Sequence, residues 1–231
     1  QPNVDEFEGR IEGDVSTTDK GGENYRTNGM LNFPVVEGKL AVRAVGWITD
    51  DSGYIDQPRL NRDNINTNNV EGGRLAVRWL PTENLDVTLS ALIQNRGVGG
   101  SSRFTPEMQE GARNNLSAFP DVVDAFGGVL EVEGDLINQD FTRNEWDEKI
   151  QLYSAKGEYT FDTGSVLAAV NYYKRDIDFN IDSSWILYSF GIGVPAVTME
   201  PQKRDVFSTE LRYASNFDGP VNVVVGGFLS R

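Results

Sequence analysis

Between Gly73 and Ile93, apolar and polar side chains alternate through two consecutive stretches. In the first, Leu75, Val77 and Trp79 share one face, while Arg74, Ala76 and Arg78 share the other. After Pro81-Thr82-Glu83-Asn84, the residues Leu85, Val87, Leu89, Ala91 and Ile93 oppose Asp86, Thr88, Ser90 and Gln94, with Leu92 the one exception. Side chains on a strand point to alternate faces, so the pattern predicts a β-hairpin with one apolar and one polar face. The second apolar stripe covers about nine residues, roughly the reach of a tilted strand across a bilayer.

The same pattern recurs along the chain. Phe7, Gly9, Ile11, Gly13 and Val15 alternate with Glu8, Arg10, Glu12 and Asp14. A second strand carries Tyr25, Thr27, Gly29, Leu31 and Phe33 opposite Arg26, Asn28 and Asn32, and Pro34 is expected to end it. A third, Leu40 to Thr49, sets Leu40, Val42, Ala44 and Ile48 against Arg43 and Trp47. Further strands are expected over Ile150 to Phe161, Val166 to Tyr173, Phe207 to Tyr213 and Val221 to Leu229. The connections alternate in length: residues 16–23, 50–69, 95–145 and 181–205 are intermediate or long, and 34–39, 81–84, 162–164 and 216–220 are short. An up-and-down sheet then has its long loops at one end and its turns at the other, the plan of outer-membrane barrels. Phe33, Trp79, Tyr159, Phe161, Tyr213 and Phe217 sit beside the short turns, as an interfacial aromatic girdle requires. The fold class expected is all-β: an antiparallel up-and-down transmembrane barrel, partial, with about nine strands where bacterial single-chain barrels have even numbers.

Composition removes several chemistries. With 35 acidic and 21 basic residues the net charge is −14, and no basic stripe is present to displace phosphate counterions, so no nucleic-acid partner is expected. The chain has no cysteine and no histidine, which excludes thiolate sites, disulfides and Ser-His-Asp triads. No apolar run approaches the roughly 18 residues of a membrane helix, a test to which barrel strands are blind. The first residues, Gln1-Pro2-Asn3, include no Met or signal peptide, and the chain stops inside an alternating stretch at Phe228-Leu229-Ser230-Arg231. Both ends are expected to be cuts in a longer chain.

Several stretches also resemble a family, the TonB-dependent outer-membrane receptors. The resemblance is carried by Glu71-Gly72-Gly73-Arg74-Leu75-Ala76-Val77-Arg78-Trp79 with Pro81, by Gly53-Tyr54-Ile55-Asp56, and by Phe207-Ser208-Thr209-Glu210-Leu211-Arg212 with Gly226-Gly227-Phe228. It covers essentially the whole chain, and the order and spacing are similar to the first part of the family's barrel domain. Members have a 22-stranded barrel filled by an N-terminal plug. The resemblance implies that residues 1–231 are a fragment of such a barrel, with the plug and the remaining strands elsewhere. It implies a place in the bacterial outer membrane, among lipid, and a role in nutrient uptake. The partners implied are the receptor's own plug, the TonB–ExbB–ExbD complex acting through that plug, and a ligand such as a ferric siderophore, cobalamin or a glycan.

Candidate site residues follow from the pattern. Glu8, Arg10, Glu12, Asp14, Arg26, Lys156 and, facing lumen and plug, Arg43, Arg74, Arg78, Glu158, Glu210 and Arg212 alternate in sign on neighbouring strands, as cross-strand ion pairs require. Loop aromatics Tyr54, Phe104, Phe119, Phe126, Trp185, Tyr188 and Phe190 are candidates for a ligand vestibule or for loop packing. Asp121, Asp124, Glu131, Glu133, Asp135 and Asp140 form an acidic run without a base. Calcium needs six to eight oxygen ligands, and the run lacks regular loop spacing, so no metal and no cofactor is assigned. Glu131 and Glu133 could serve as a glycosidase pair, but acidic loops hold many such pairs, and no catalytic residue is assigned. A rival reading is a secreted β-sandwich or β-solenoid carbohydrate-binding module, which would bury its apolar faces.

Overall fold

The computed structural model describes residues 1–102, 135–190, 192 and 194–231, apart from the side chains of Trp185, Tyr188 and Ser189. Alternating stretches become strands, and all nine strands of the described residues lie in one sheet in sequential order, each antiparallel to the next. They are β1 (Glu8–Thr17), β2 (Glu23–Val36), β3 (Leu40–Asp51), β4 (Asn68–Thr82), β5 (Leu85–Val98), β6 (Trp146–Phe161), β7 (Gly164–Asp182), β8 (Val197–Ser215) and β9 (Val224–Ser230). A short α-helix, α1 (Ser184–Ser189), caps the β7–β8 hairpin. β1 and β9 pair only with β2 and β8, so the sheet is an open portion of an up-and-down barrel. No helix among the described residues is long and apolar enough to cross a membrane.

Register fixes the faces, because directly opposed residues in an antiparallel ladder point the same way. One row reads Phe33, Val42, Val77, Leu89, Ala155 and Val170 across β2 to β7. The next row on that face reads Leu31, Ala44, Leu75, Ala91, Tyr153 and Tyr172. The opposite face carries Glu8, Asn32, Arg43, Ala76, Ser90 and Ser154 in one row. Among the described residues the apolar face has no second layer: Ile11 is 81% exposed, and Leu31, Leu75, Leu89 and Leu211 are all exposed. A sandwich hides such a face between two sheets and a solenoid stacks parallel strands; a single antiparallel meander does neither.

Short turns gather at one end. Residues 37–39, 83–84, 162–163 and 216–223 join strands there, and residues 18–22, 52–67, 99–145 and 183–196 join them at the other end. Gly38, at φ +70°, supplies the left-handed residue of the β2–β3 turn. Of the aromatics expected beside these turns, Phe33, Trp79, Tyr159, Phe161 and Tyr213 lie on the apolar face, and Phe217 falls in the turn after β8. The Phe161 and Tyr213 rings stack at 6.0 Å, and the Tyr159 ring lies 6.3 Å from Phe161.

Three expectations about strand limits are corrected. Pro34 does not end β2; it pairs with Ala41, and the strand runs on to Val36 through a register shift. Proline has no N–H to give the ladder, and an irregularity of this kind accommodates it. Pro81 lies inside β4 at a similar shift between Trp79 and Thr82. The largest difference concerns β7 and β8, which form a hairpin of 19 residues each where a strand ending near Tyr173 and a connection over 181–205 were expected. Beyond Tyr173 the alternation continues with its polarity reversed. Asp176, Asp178 and Asp182 share the face of Tyr172, and Ile177, Phe179 and Ile181 share the polar one.

Candidate functional site

The polar face is where the charged candidates meet. Arg43, Arg74, Arg78, Glu158, Glu210 and Arg212 all project from it, as do Glu8, Arg10, Glu12, Asp14, Arg26 and Lys156. Arg43 Nη2 lies 2.6 Å from Glu8 Oε2, Arg26 Nη2 lies 2.9 Å from Asp51 Oδ1, and Arg78 donates through Nε and Nη2 to Asp86 Oδ2 at 3.1 and 2.9 Å. These pairs join different strands, as does Arg175 with Glu148. The expectation of cross-strand pairing fails elsewhere: Arg10 pairs with Glu12, Lys156 with Glu158 at 3.0 Å and Arg212 with Glu210 at 3.7 Å. Each of these is a pair two residues apart on one strand, where long side chains reach a same-face neighbour without crossing the ladder. Arg74 has no ion pair among the described residues and stays exposed between Val45 and Leu92 in its row. Exposed pairs of this kind contribute at most about 1 kcal/mol each, so the face is held by its backbone ladders and stays adaptable in charge.

Trp47 lies on the same face and donates from Nε1 to Gln94 Oε1 at 3.2 Å. Gly72 stands between them in the row, and a Cβ there would fall 2.4 Å from the indole. Gly72→Ala is therefore expected to lift the ring off the wall and break its hydrogen bond, at a cost of about 1–3 kcal/mol for the overpacked contact. A shifted tryptophan emission maximum with a lowered melting temperature in detergent is the expected readout; an unchanged melt contradicts the contact.

At the long-loop end, residues 52–67 and 135–145 interlock. Asp56 N donates to Leu136 O at 3.0 Å and Asn138 N to Asp56 O at 2.8 Å, forming a parallel bridge. Gln57, only 1% exposed, reaches across with Nε2 to Asp140 O and Thr142 O at 3.1 and 2.9 Å. Ile55, Ile65 and Ile137 are buried in these two segments. Arg62 pairs with Glu145 at 2.9 Å, and the Arg59 guanidinium sits 4.0 Å over the Phe141 ring. Asp182 ties the knot to α1: Oδ2 accepts from Thr142 N and Oγ1 at 2.6 and 2.9 Å, and Oδ1 accepts from Ser184 N at 2.7 Å.

Of the loop aromatics, Tyr54 is half-buried, its N–H donating to Asn66 Oδ1 at 2.7 Å. Trp185 and Tyr188 fall in α1, with side chains outside the described residues; Phe190 follows it, exposed. Phe104, Phe119 and Phe126 lie outside the described residues, as do Asp121, Asp124, Glu131 and Glu133. The structure does not bring the vestibule candidates together within the described residues. It places other aromatics at that end instead. Trp146 and Phe179 meet edge to face at 5.5 Å on the polar face, with Arg96 at 5.7 Å over Trp146. Sequence reasoning missed them because it began β6 at Ile150 and ended β7 near Tyr173. Extending the alternation in both directions, with the polarity reversed, would have found both rings. Asp140 is occupied within the loop, accepting from Asn138 Nδ2 at 2.8 Å.

No family model matches the sequence, and no curated protein matches it. Solved structures do. The ferric yersiniabactin uptake receptor FyuA from Yersinia pestis superposes on the whole chain with a TM-score of 0.71 at 15% identity. The chain has the fold of one part of that receptor. Over 100% of the chain, the ferric citrate transporter FecA gives a TM-score of 0.64 at 13% identity, and the ferric enterobactin receptor PfeA from Pseudomonas aeruginosa gives 0.64 at 14%. The chain spans 31, 29 and 31% of those three receptors, roughly a third of each. At the level of fold, the resemblance to TonB-dependent receptors seen in the sequence is upheld.

Proposed function

We propose that the chain is part of the barrel wall of a bacterial outer-membrane receptor that takes up a scarce nutrient with energy supplied through TonB. The observation that carries this reading is the two-faced sheet: an uncovered apolar face on strands long enough to span a bilayer, set against a charged face bearing Arg43, Arg74, Arg78, Glu158, Glu210 and Arg212. In this reading the apolar face meets lipid and the charged face lines a lumen occupied by a plug carried elsewhere on the protein. The long loops, with the Trp146–Phe179 pair below them, form the outer mouth. The chain works in transport and not in catalysis, a reading supported by neighbours that are an uptake receptor, a transporter and a ferric enterobactin receptor. The same neighbours are named for ferric yersiniabactin, ferric citrate and ferric enterobactin, which favours a ferric chelate over cobalamin or a glycan.

Deleting the gene in its host under iron limitation is expected to abolish growth on one or more ferric siderophores and leave growth on ferrous iron intact. Removing TonB should reproduce that loss. Unchanged growth on every ferric siderophore, cobalamin and glycan offered, with the protein recovered in a soluble fraction, would overturn the proposal.

A further inference from the structure

Residues 1–7 precede the first strand, yet they are bound to the polar face. Asn32 on β2 is fully buried although it lies mid-strand on the charged side. Its amide fills all of its hydrogen-bonding capacity. Nδ2 donates to Asn3 O and Glu6 O, both at 2.8 Å, and Oδ1 accepts from Asn3 N at 2.9 Å and from Arg43 Nε at 3.1 Å. Arg43 also reaches Glu8 at the start of β1, and Asn3 Nδ2 donates to Glu8 Oε1 at 2.7 Å. Gly38 N, in the β2–β3 turn, donates to Val4 O at 2.9 Å. Pro2, Val4 and Ala41 are buried beneath these bonds. Asn32 on β2, Glu8 on β1 and the β2–β3 turn therefore hold this short segment directly, and Arg43 on β3 braces Asn32 and Glu8 from the far side.

We propose that Asn32, with Arg43 and Glu8, is a clamp that anchors the chain ahead of β1, so that tension arriving from the N-terminal side stops at Asn3 and Glu6. The source of that tension rests on the receptor reading, in which an upstream plug is moved by an energy-coupled partner. Force applied to that segment meets the node before it reaches the β1–β2 ladder. A node of several short bonds ahead of it must fail as a unit, so the wall keeps its first strand while the upstream segment moves.

The test uses the full-length protein in membranes, with single cysteines at Val4 or at exposed Glu37, and a bulky water-soluble maleimide. Val4→Cys is expected to react about tenfold or more slowly than Glu37→Cys, since reaction requires local opening. Adding Asn32→Ala should bring the two rates close together. Arg43→Lys keeps a cation near Glu8 but loses the planar fork toward Asn32, and should give an intermediate rate. Under force, with an N-terminal handle and β5 held, the parent should show an early release of roughly 20–25 Å, the length of the strap at 3.3–3.6 Å per residue. Asn32→Ala should lose that event. Equal rates at Val4 and Glu37 in the parent, or a release event unchanged by both variants, would overturn the clamp. These readouts need only the folded sheet, so a failed growth assay leaves them standing, and intact uptake with an unprotected Val4 sinks the clamp alone.

Discussion

Arginine at Leu89 is expected to destabilise the assembled wall by roughly 2–4 kcal/mol, the penalty for a cation at the lipid midplane of a barrel. Arginine at Ser90 should cost far less. Leu89 is 51% exposed in a row with Val42, Val77 and Val170, all apolar, so a guanidinium there would have no water and no acid. Ser90 points the other way, level with Ala76 and Ser154 and on the face that carries the ion pairs. Urea unfolding of both variants in lipid vesicles measures the difference. Cysteine at the two positions gives a second readout in the complete protein in its membrane: a water-soluble thiol reagent should modify Ser90→Cys and leave Leu89→Cys nearly untouched. A tightly packed lumen weakens the Ser90 signal without raising the Leu89 one. Equal, fast labelling at both sites would end the assignment of the apolar face to lipid.

The second large effect is expected at Gln57. Gln57→Leu keeps the volume and removes the donor that serves Asp140 O and Thr142 O, leaving two carbonyls short of a partner in a buried setting. A buried polar group left unmatched costs about 1–3 kcal/mol, so the loop knot should loosen by about 2–4 kcal/mol in all. The strands beneath it keep their own ladders and should be unaffected. Amide exchange at Asp56 and Asn138, whose N–H groups form the bridge between the two segments, should accelerate by well over tenfold. The amides of Val77 and Leu89 should keep their rates. Exchange at Asp56 unchanged by the substitution would show that Gln57 is a passenger in the knot.

The two faces of the sheet were legible because a strand repeats every two residues, and one strand such as Leu85 to Ile93 is enough to separate them. Even Leu92, the exception in that alternation, sits on the polar face opposite Arg74 and Leu152. Strand ends were harder. Pro34 and Pro81 signal termination on local grounds, but a strand with one irregular pair absorbs the missing donor, and only the neighbouring strand shows that it does. The upper half of β7 was hidden by its reversed polarity: Asp176, Asp178 and Asp182 sit where apolar residues sit lower down, so the segment resembled a loop. The segment ahead of β1 escaped notice because residues 1–6 have no period; its partner Asn32, an asparagine inside a strand, was a hint shared with Asn28. The vestibule candidates were chosen by residue type within long connections. Residue type says nothing about where a loop folds, and the aromatics that do meet at that end, Trp146 and Phe179, belong to strands.

In the proposed receptor, the reversal along β7 would also set the depth at which the wall floats. Tyr172 and Phe207 end the greasy band on this hairpin, and Lys174 and Asp205 stand immediately above them on the same side. Sinking by two residues, about 7 Å along the strand, would drag both charges among acyl chains; rising by as much would strip lipid from both rings. Displacement in either direction is opposed by solvation alone. In the proposed receptor, the hairpin that builds the outer mouth would thereby level it against the bilayer surface.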